Sequence, residues 1–271
     1  LGRTPAATQI TTAVRRLKHS APGVGGIRAE YWKAIARDND LFWDEVVGYV
    51  LEFWDRKRVP EGWEICDTGM LFKKGDASDP NNYRSIMKIK ISEKTVLNII
   101  NDRCQELIKE LDIESQSGFR LHYGCVDAVF NTRVGAKKRQ EHGLETFANF
   151  LDIVKAFDTV NRGMLWAVLT RLGMPTNLVD IIKALHEKVT VRLSKDDAVV
   201  TFDSLNGVRQ GCVLGPPLFV LYMAGIMLTW KKVKRTESLV YRTNLTDQFE
   251  THGVRGENED TSTFTFDESQ Y

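Results

Sequence analysis

The sequence predicts an α+β fold, with helices and antiparallel hairpins mixed along the chain. Three observations carry this. Apolar residues recur at helical spacing in several windows, such as Ile10, Val14 and Leu17, or Leu97, Ile100, Cys104, Leu107 and Ile108. The stretch VTVRLSKDDAVVTF (189–202) alternates on both sides of a Lys-Asp-Asp turn, which is a hairpin signal. Strands and helices follow no strict strand-helix-strand period, which separates the chain from doubly wound parallel sheets.

Taken in order, residues 4–18 predict a helix entered through Thr4 and Pro5. One proline and three glycines in SAPGVGGI (20–27) break it. Residues 29–57 predict a long helical region whose stripe of Tyr31, Trp32, Ile35, Phe42, Trp43, Val46, Val47, Val50 and Trp54 packs into a core. TGMLFKKGDASDPNNYRSI (68–86) reads as a short strand, a basic turn, a polar loop and a return to ordered structure. A helix over 91–111 follows, and then a glycine-punctuated loop from Glu114 that enters another helix running to about Gln140.

From Thr146 the pattern changes. FANFL (147–151) predicts a buried strand leading into Asp152. Residues 163–175 predict a helix stopped by Gly173 and Pro175, and 178–186 a second one before the hairpin. GVRQG (207–211) is a glycine loop ahead of a proline-started apolar helix. Beyond Lys231 the chain turns polar and acidic, and STFTFDESQY at its end alternates again.

Composition narrows the function classes. A chain of 271 residues can bury a sizeable core as one large domain or two small ones. With 37 basic and 36 acidic residues the net charge is +1, so a nucleic-acid partner has to be argued from local clusters. Four scattered cysteines without a CxxC pair argue against a zinc knuckle or a disulfide framework, and suit a reducing, intracellular compartment, nuclear or cytoplasmic. No apolar run is long enough to span a membrane, so no membrane partner is expected. The chain opens at Leu1 without an initiating Met, as a piece of a longer protein would.

Several residues can carry chemistry. Asp152, at the end of a buried strand, suits a divalent-metal ligand, and equally suits a cap on the helix that follows. Asp158 reads as a turn carboxylate. Phe157 is either core or a ring pressed on a sugar. Lys73, Lys74, Arg84, Lys88, Lys90 and Lys94 lie near Phe72 and Tyr83, a mixture that suits phosphates and bases, or else a solvated basic face. In RQG, Gly211 permits close backbone approach and Gln210 can hydrogen-bond a base.

In this order the pieces resemble the reverse transcriptase of non-LTR (LINE-type) retrotransposons over most of the chain. SAPGVGGIRAEYWK resembles the segment before the polymerase fingers. GMLFKKGDASDPNNYRSI and ESQSGFRLHYGCVDAVF resemble two fingers blocks, and NFLDIVKAFDTVNR and GVRQGCVLGPPLF the first two palm motifs. The resemblance implies a right-hand polymerase. Residues 1–62 would be an N-terminal helical extension and 63–145 the fingers. Residues 146–271 would be a partial palm, an antiparallel sheet backed by helices, with the thumb absent.

By the same resemblance Asp152 is the catalytic carboxylate and, with the Ile153 carbonyl, holds Mg²⁺ or Mn²⁺ for two-metal nucleotidyl transfer. Phe157 is the sugar gate. Arg84 and Lys88, with Gln210 and Gly211, bind the incoming nucleotide and its template pair. Lys73, Lys74, Gly118, Phe119 and Arg120 meet the template. The implied partners are an RNA template with a DNA primer, deoxynucleoside triphosphates, and a linked endonuclease and thumb in a parent polyprotein.

The chain also departs from the pattern. Gly26 stands where the family often has Asp, and MKIK and Leu-His-Tyr replace the usual residues after YRSI and GFR. No Asp-Asp follows RQG, and the only such pair, Asp196-Asp197, comes before it. The stretch is therefore expected not to polymerise by itself. The competing expectation is a catalytically inactive RNA- or hybrid-binding remnant. A maturase- or telomerase-like polymerase fits KAFDTV and YRSI less well, and an unrelated helical scaffold would require five ordered motif matches to be accidental.

Overall fold

The computed structural model describes residues 1–18, 27–38, 41–111, 113, 116–195, 198–209, 211–233, 240–243 and 249–252. The segment 20–26, Asp196-Asp197, Gln210 and the end of the chain from 253 lie outside them. The chain divides into two compact units, Leu1–Leu107 with Val154–Phe219, and Ile108–Ile153 with Val220–Tyr271.

The first unit is α+β. Helix α1 (Ala7–Arg15) turns Ile10, Ala13 and Val14 inward, as the spacing predicts. The long helical region expected over 29–57 is two helices, α2 (Ala29–Asp38) and α3 (Leu41–Arg56). Trp43, Val50 and Trp54 of its stripe are buried, whereas Tyr31 and Phe42 are exposed. The expected positions therefore do not form one continuous buried stripe. Helix α4 (Ile91–Glu110) buries Leu97, Ile100, Cys104 and Leu107, and Arg103 lies 4.4 Å over the Trp54 ring.

Strands β1 (Ile65–Phe72), β2 (Tyr83–Lys88), β3 (Thr190–Lys195) and β4 (Ala198–Asp203) form one sheet in the order β2-β1-β3-β4. The β1–β2 and β3–β4 pairs are antiparallel, and the alternation over 189–202 predicts the second of them. Strands β1 and β3 run parallel, with Ile65 opposite Thr190 and Asp67 opposite Arg192. The sheet is therefore mixed, where an antiparallel one was expected. Adjacent alternating runs reveal only hairpins, and the long stretch from Phe72 to Thr190 leaves the direction of return free.

Helices α6 (Arg162–Arg171) and α7 (Thr176–Glu187) pack together. Asn161 caps α6, its side chain accepting from the Met164 amide at 2.9 Å. Asp152 is therefore not the cap of that helix. Helix α8 (Gly215–Val233) starts on Gly-Pro-Pro, where the missing proline amides cost the helix nothing.

In the second unit, Gly118 and Phe119 form a turn, and α5 (Cys125–Glu141) opens with the Asp127 carboxylate accepting from the Gly124 amide at 2.7 Å. Strands β5 (Val240–Thr243) and β6 (Phe249–His252) pair antiparallel. The buried strand expected at FANFL does not form. Residues 144–153 belong to no strand or helix, and Phe150 is 89% exposed. An apolar run becomes a strand only where another edge takes its amides and carbonyls, and among the described residues none pairs with it.

Candidate functional site

The centre of the first unit is a dock between two of the quoted motifs. Residues 154–159 form a tight turn, closed by the Asp158 and Thr159 amides donating to the Lys155 carbonyl at 2.8 and 3.1 Å. The loop before α8 then binds it: the Gly207 amide donates to the Val160 carbonyl and the Val208 amide to that of Phe157, both at 2.9 Å. Gly207 has φ +78°, and a Cβ there would sit 2.7–2.8 Å from the Phe157 carbonyl and the Asp158 backbone. Only glycine fits this approach. The Phe157 ring lies 5.2 Å from that of Phe219.

Arg162 fastens the same loop from the start of α6. Its guanidinium donates to the carbonyls of Gly207 (2.9 Å), His186 (2.7 Å) and Asn206 (3.2 Å) and to Ser204 Oγ (3.2 Å). A rigid fork of donors suits this cluster of acceptors better than an ammonium would. Burial lowers the Arg162 pKa below its usual value, and neighbouring Arg209 lowers it further.

Arg209, in the same loop, is fully buried against Glu93 in the first turn of α4, at 2.6 Å. Its Nη1 donates to Cys66 Sγ at 3.6 Å, while Nε, Nη2 and Glu93 Oε1 lack well-aligned hydrogen bonds. Burial alone would lower the Arg209 pKa; the Glu93 carboxylate reverses this and keeps the guanidinium charged. Burial raises the Glu93 pKa even against the pull of Arg209, so the attraction does not fully offset desolvation of the acid. Burial also pushes the Cys212 thiol up to about 11.

Beyond Arg209 the loop reaches β2. Gly211 has φ +92°, and a Cβ there would sit 3.0–3.1 Å from Ile86 Cγ2 and the Met87 backbone. On β2, Arg84 and Lys88 alternate with Ile86 on the exposed face. Lys73 and Lys74 follow β1, exposed, where the Lys73 amide donates to the Asn82 carbonyl at 2.8 Å.

These pieces surround a cavity of about 500 Å³ lined by Arg16, Lys18, Lys94, Phe157, Arg209 and Gly211, among others. The turn, the glycine loop and α4 thus build one concave, basic-lined site.

Residues 72–242, well over half of the chain, match the family model for reverse transcriptase (RNA-dependent DNA polymerase). The chain belongs to the reverse transcriptase family. Its branch is that of the non-LTR retrotransposons. It is 27% identical over 214 residues to the "Retrovirus-related Pol polyprotein from type-1 retrotransposable element R2" of Popillia japonica, an alignment covering 78% of this chain and 29% of that protein. It is 30% identical over 170 residues to the "RNA-directed DNA polymerase from mobile element jockey" of Drosophila melanogaster, covering 60% and 18%. A third relative, the type-2 R2DM Pol polyprotein of the same fly, is 25% identical over 172 residues, covering 63% and 16%. The chain thus spans less than a third of the length of these curated relatives.

Reverse transcriptases use divalent metal ions, and the residues of this domain fit such a site only in part. Asp152 and Ile153 lie exposed on the extended segment of the second unit, not at the end of a strand. Among the described residues no group of three or more His, Cys, Asp or Glu is placed to hold a metal. Two-metal chemistry needs several converging carboxylates, which the described residues do not bring together.

Of the residues singled out in the sequence, the reverse transcriptase fold brings Phe157, Gly211 and Lys94 to the cavity, and Gly211 against the strand that carries Arg84 and Lys88. Gly118, Phe119 and Arg120 belong to the second unit, where Arg120 lies 4.2 Å over the Tyr123 ring. Gln210 lies outside the described residues. Glu93, Arg162, Arg16 and Lys18 were missed. An acid in the first turn of α4 and an arginine beginning α6 were the available signals, but neither says what it will meet.

Proposed function

We propose that this chain supplies part of the RNA-directed DNA polymerase domain of a non-LTR retrotransposon protein, with residues 1–62 as a helical extension, 63–145 in the fingers and 146–271 in the palm. The observation that supports this best is the docking of Gly207 and Val208 on the Phe157–Val160 backbone, which joins two polymerase motifs into one basic-lined cavity. The reading gives Phe157 the face of the incoming sugar, and Arg84, Lys88, Gln210 and Gly211 the nucleotide and its template pair. Lys73, Lys74 and the Gly118–Arg120 turn lie along the template. Substrates are deoxynucleoside triphosphates on an RNA template with a DNA primer.

Asp152 and the Ile153 carbonyl are one corner of a Mg²⁺ or Mn²⁺ site whose remaining carboxylates the described residues do not supply. The stretch alone therefore binds RNA–DNA hybrid without extending it, whereas the parent polyprotein carries thumb and endonuclease and works in the nucleus or cytoplasm. The test is primer extension on an RNA template with Mg²⁺ or Mn²⁺, beside hybrid binding across salt. Salt-steep, metal-indifferent binding without extension is expected of this stretch. Extension abolished by Asp152→Ala would show that it is catalytically complete, and absence of hybrid binding would overturn the reading.

A further inference from the structure

We propose that the end of helix α1, through Lys18 beside Arg16, forms a phosphate-binding wall of the cavity for a nucleoside triphosphate. The site would then depend on a segment lying before the region that matches the family model. This rests on the polymerase reading and adds residues to its nucleotide site.

Four observations converge. Among the described residues, those lining the cavity include Arg16, Lys18, Lys94 and Arg209 and no carboxylate. Its volume of about 500 Å³ is that of a small-molecule site, not a groove for a duplex. The α1 end is pinned: Arg16 donates to both carboxylate oxygens of Asp102 on α4, at 3.1 and 2.6 Å, and Leu17 is buried. Lys18 therefore leaves a fixed backbone at the cavity rim. Lys94 and Asn98 lie one helical turn apart on α4 and line the same space.

The charge balance gives the parts different tasks. Arg209 is already bound to Glu93 and Arg16 to Asp102, so both serve to hold the walls. Lys18 and Lys94 add positive charge at the rim. Burial lowers the Lys94 pKa from its usual value, and the neighbouring Glu93 carboxylate acts against that. Phe157 and Gly211 line the same cavity.

The test uses the whole chain and needs no turnover. Calorimetric titration with deoxythymidine triphosphate and with inorganic tripolyphosphate is compared for wild type, Lys18→Gln and Lys109→Gln, with RNA–DNA hybrid binding measured in parallel. Lys18→Gln is expected to weaken both triphosphates by a similar factor, about tenfold, while Lys109→Gln leaves them unchanged. Equal triphosphate binding by Lys18→Gln and wild type would overturn the inference. So would a loss confined to the hybrid, which would assign Lys18 to a strand phosphate. Hybrid binding without any triphosphate binding would overturn it and leave the polymerase reading standing. Failure to bind either ligand would sink both.

Discussion

Glu93 and Arg209 meet at 2.6 Å with side chains only 2% and 1% exposed, and so tie the first turn of α4 to the loop that grips the Phe157–Val160 turn. Two charges taken fully out of water, with some of their polar atoms short of hydrogen bonds, form a contact that is costly to break from one side. Arg209→Met or Glu93→Leu should each destabilise the fold by roughly 3–5 kcal/mol, since each strands the partner. The double replacement Glu93→Leu/Arg209→Met should recover most of that loss. Urea unfolding of the four proteins measures the coupling, and additive losses would show that the two side chains act separately.

Gly207 should tolerate nothing larger. At φ +78° any Cβ costs about 1–2 kcal/mol in conformation alone, and here it would also lie under 3 Å from two backbone carbonyls that cannot rotate away. Gly143 is the comparison, at φ +70° with no atom within 4 Å of its Cβ position. Gly143→Ala should therefore show only the conformational cost. Gly207→Ala should lose clearly more, along with the two hydrogen bonds that join the motifs. Equal shifts in melting temperature would mean that the loop relaxes away from the turn.

Arg162→Lys should loosen the loop without unfolding the unit. Lysine keeps the charge but cannot serve the carbonyls of Gly207, His186 and Asn206 and the Ser204 hydroxyl together. The expected cost is about 1–3 kcal/mol. Amide hydrogen exchange localises it: the Gly207 and Val208 amides, which donate to Val160 and Phe157, should lose protection first. Uniform loss across the unit would instead make Arg162 a general core contact.

Local signals in the sequence were reliable where one element decides the outcome. The α1 and α4 spacings, the 189–202 hairpin, the Gly-Pro-Pro start of α8 and the glycine loop all depend on neighbours within a few residues. What failed depended on distant partners. FANFL is apolar enough for a strand, yet no described edge pairs with it, so the expected frame for Asp152 is missing. The parallel return of β3 beside β1 is likewise invisible to local alternation. The site was half legible for the same reason. Phe157 and Gly211 lie in stretches whose residue order is distinctive, while Glu93 gains its meaning only from an arginine far along the chain, and Lys18 from a cavity built by three other segments.

His186 sets a pH dependence that runs against acid. Its ring is buried, its Nδ1 donates to the Ile182 carbonyl at 2.8 Å, and its Nε2–H tautomer is thereby disfavoured. Burial is the main cause that pushes its pKa down to about 3, and the nearby guanidiniums of Arg209 and Arg162 add to it. The unfolded chain takes up a proton near pH 6.5, whereas the folded chain resists until about 3. The unfolded state thus binds more protons throughout that window, so stability is full above pH 6.5 and declines as pH falls. Between pH 6.5 and 5 the loss from this residue should be about 2 kcal/mol. Melting temperatures measured from pH 7 to pH 5 should fall for wild type and stay nearly level for His186→Phe, whose ring cannot titrate beside Trp166. Parallel slopes for the two proteins would assign the acid sensitivity to another group.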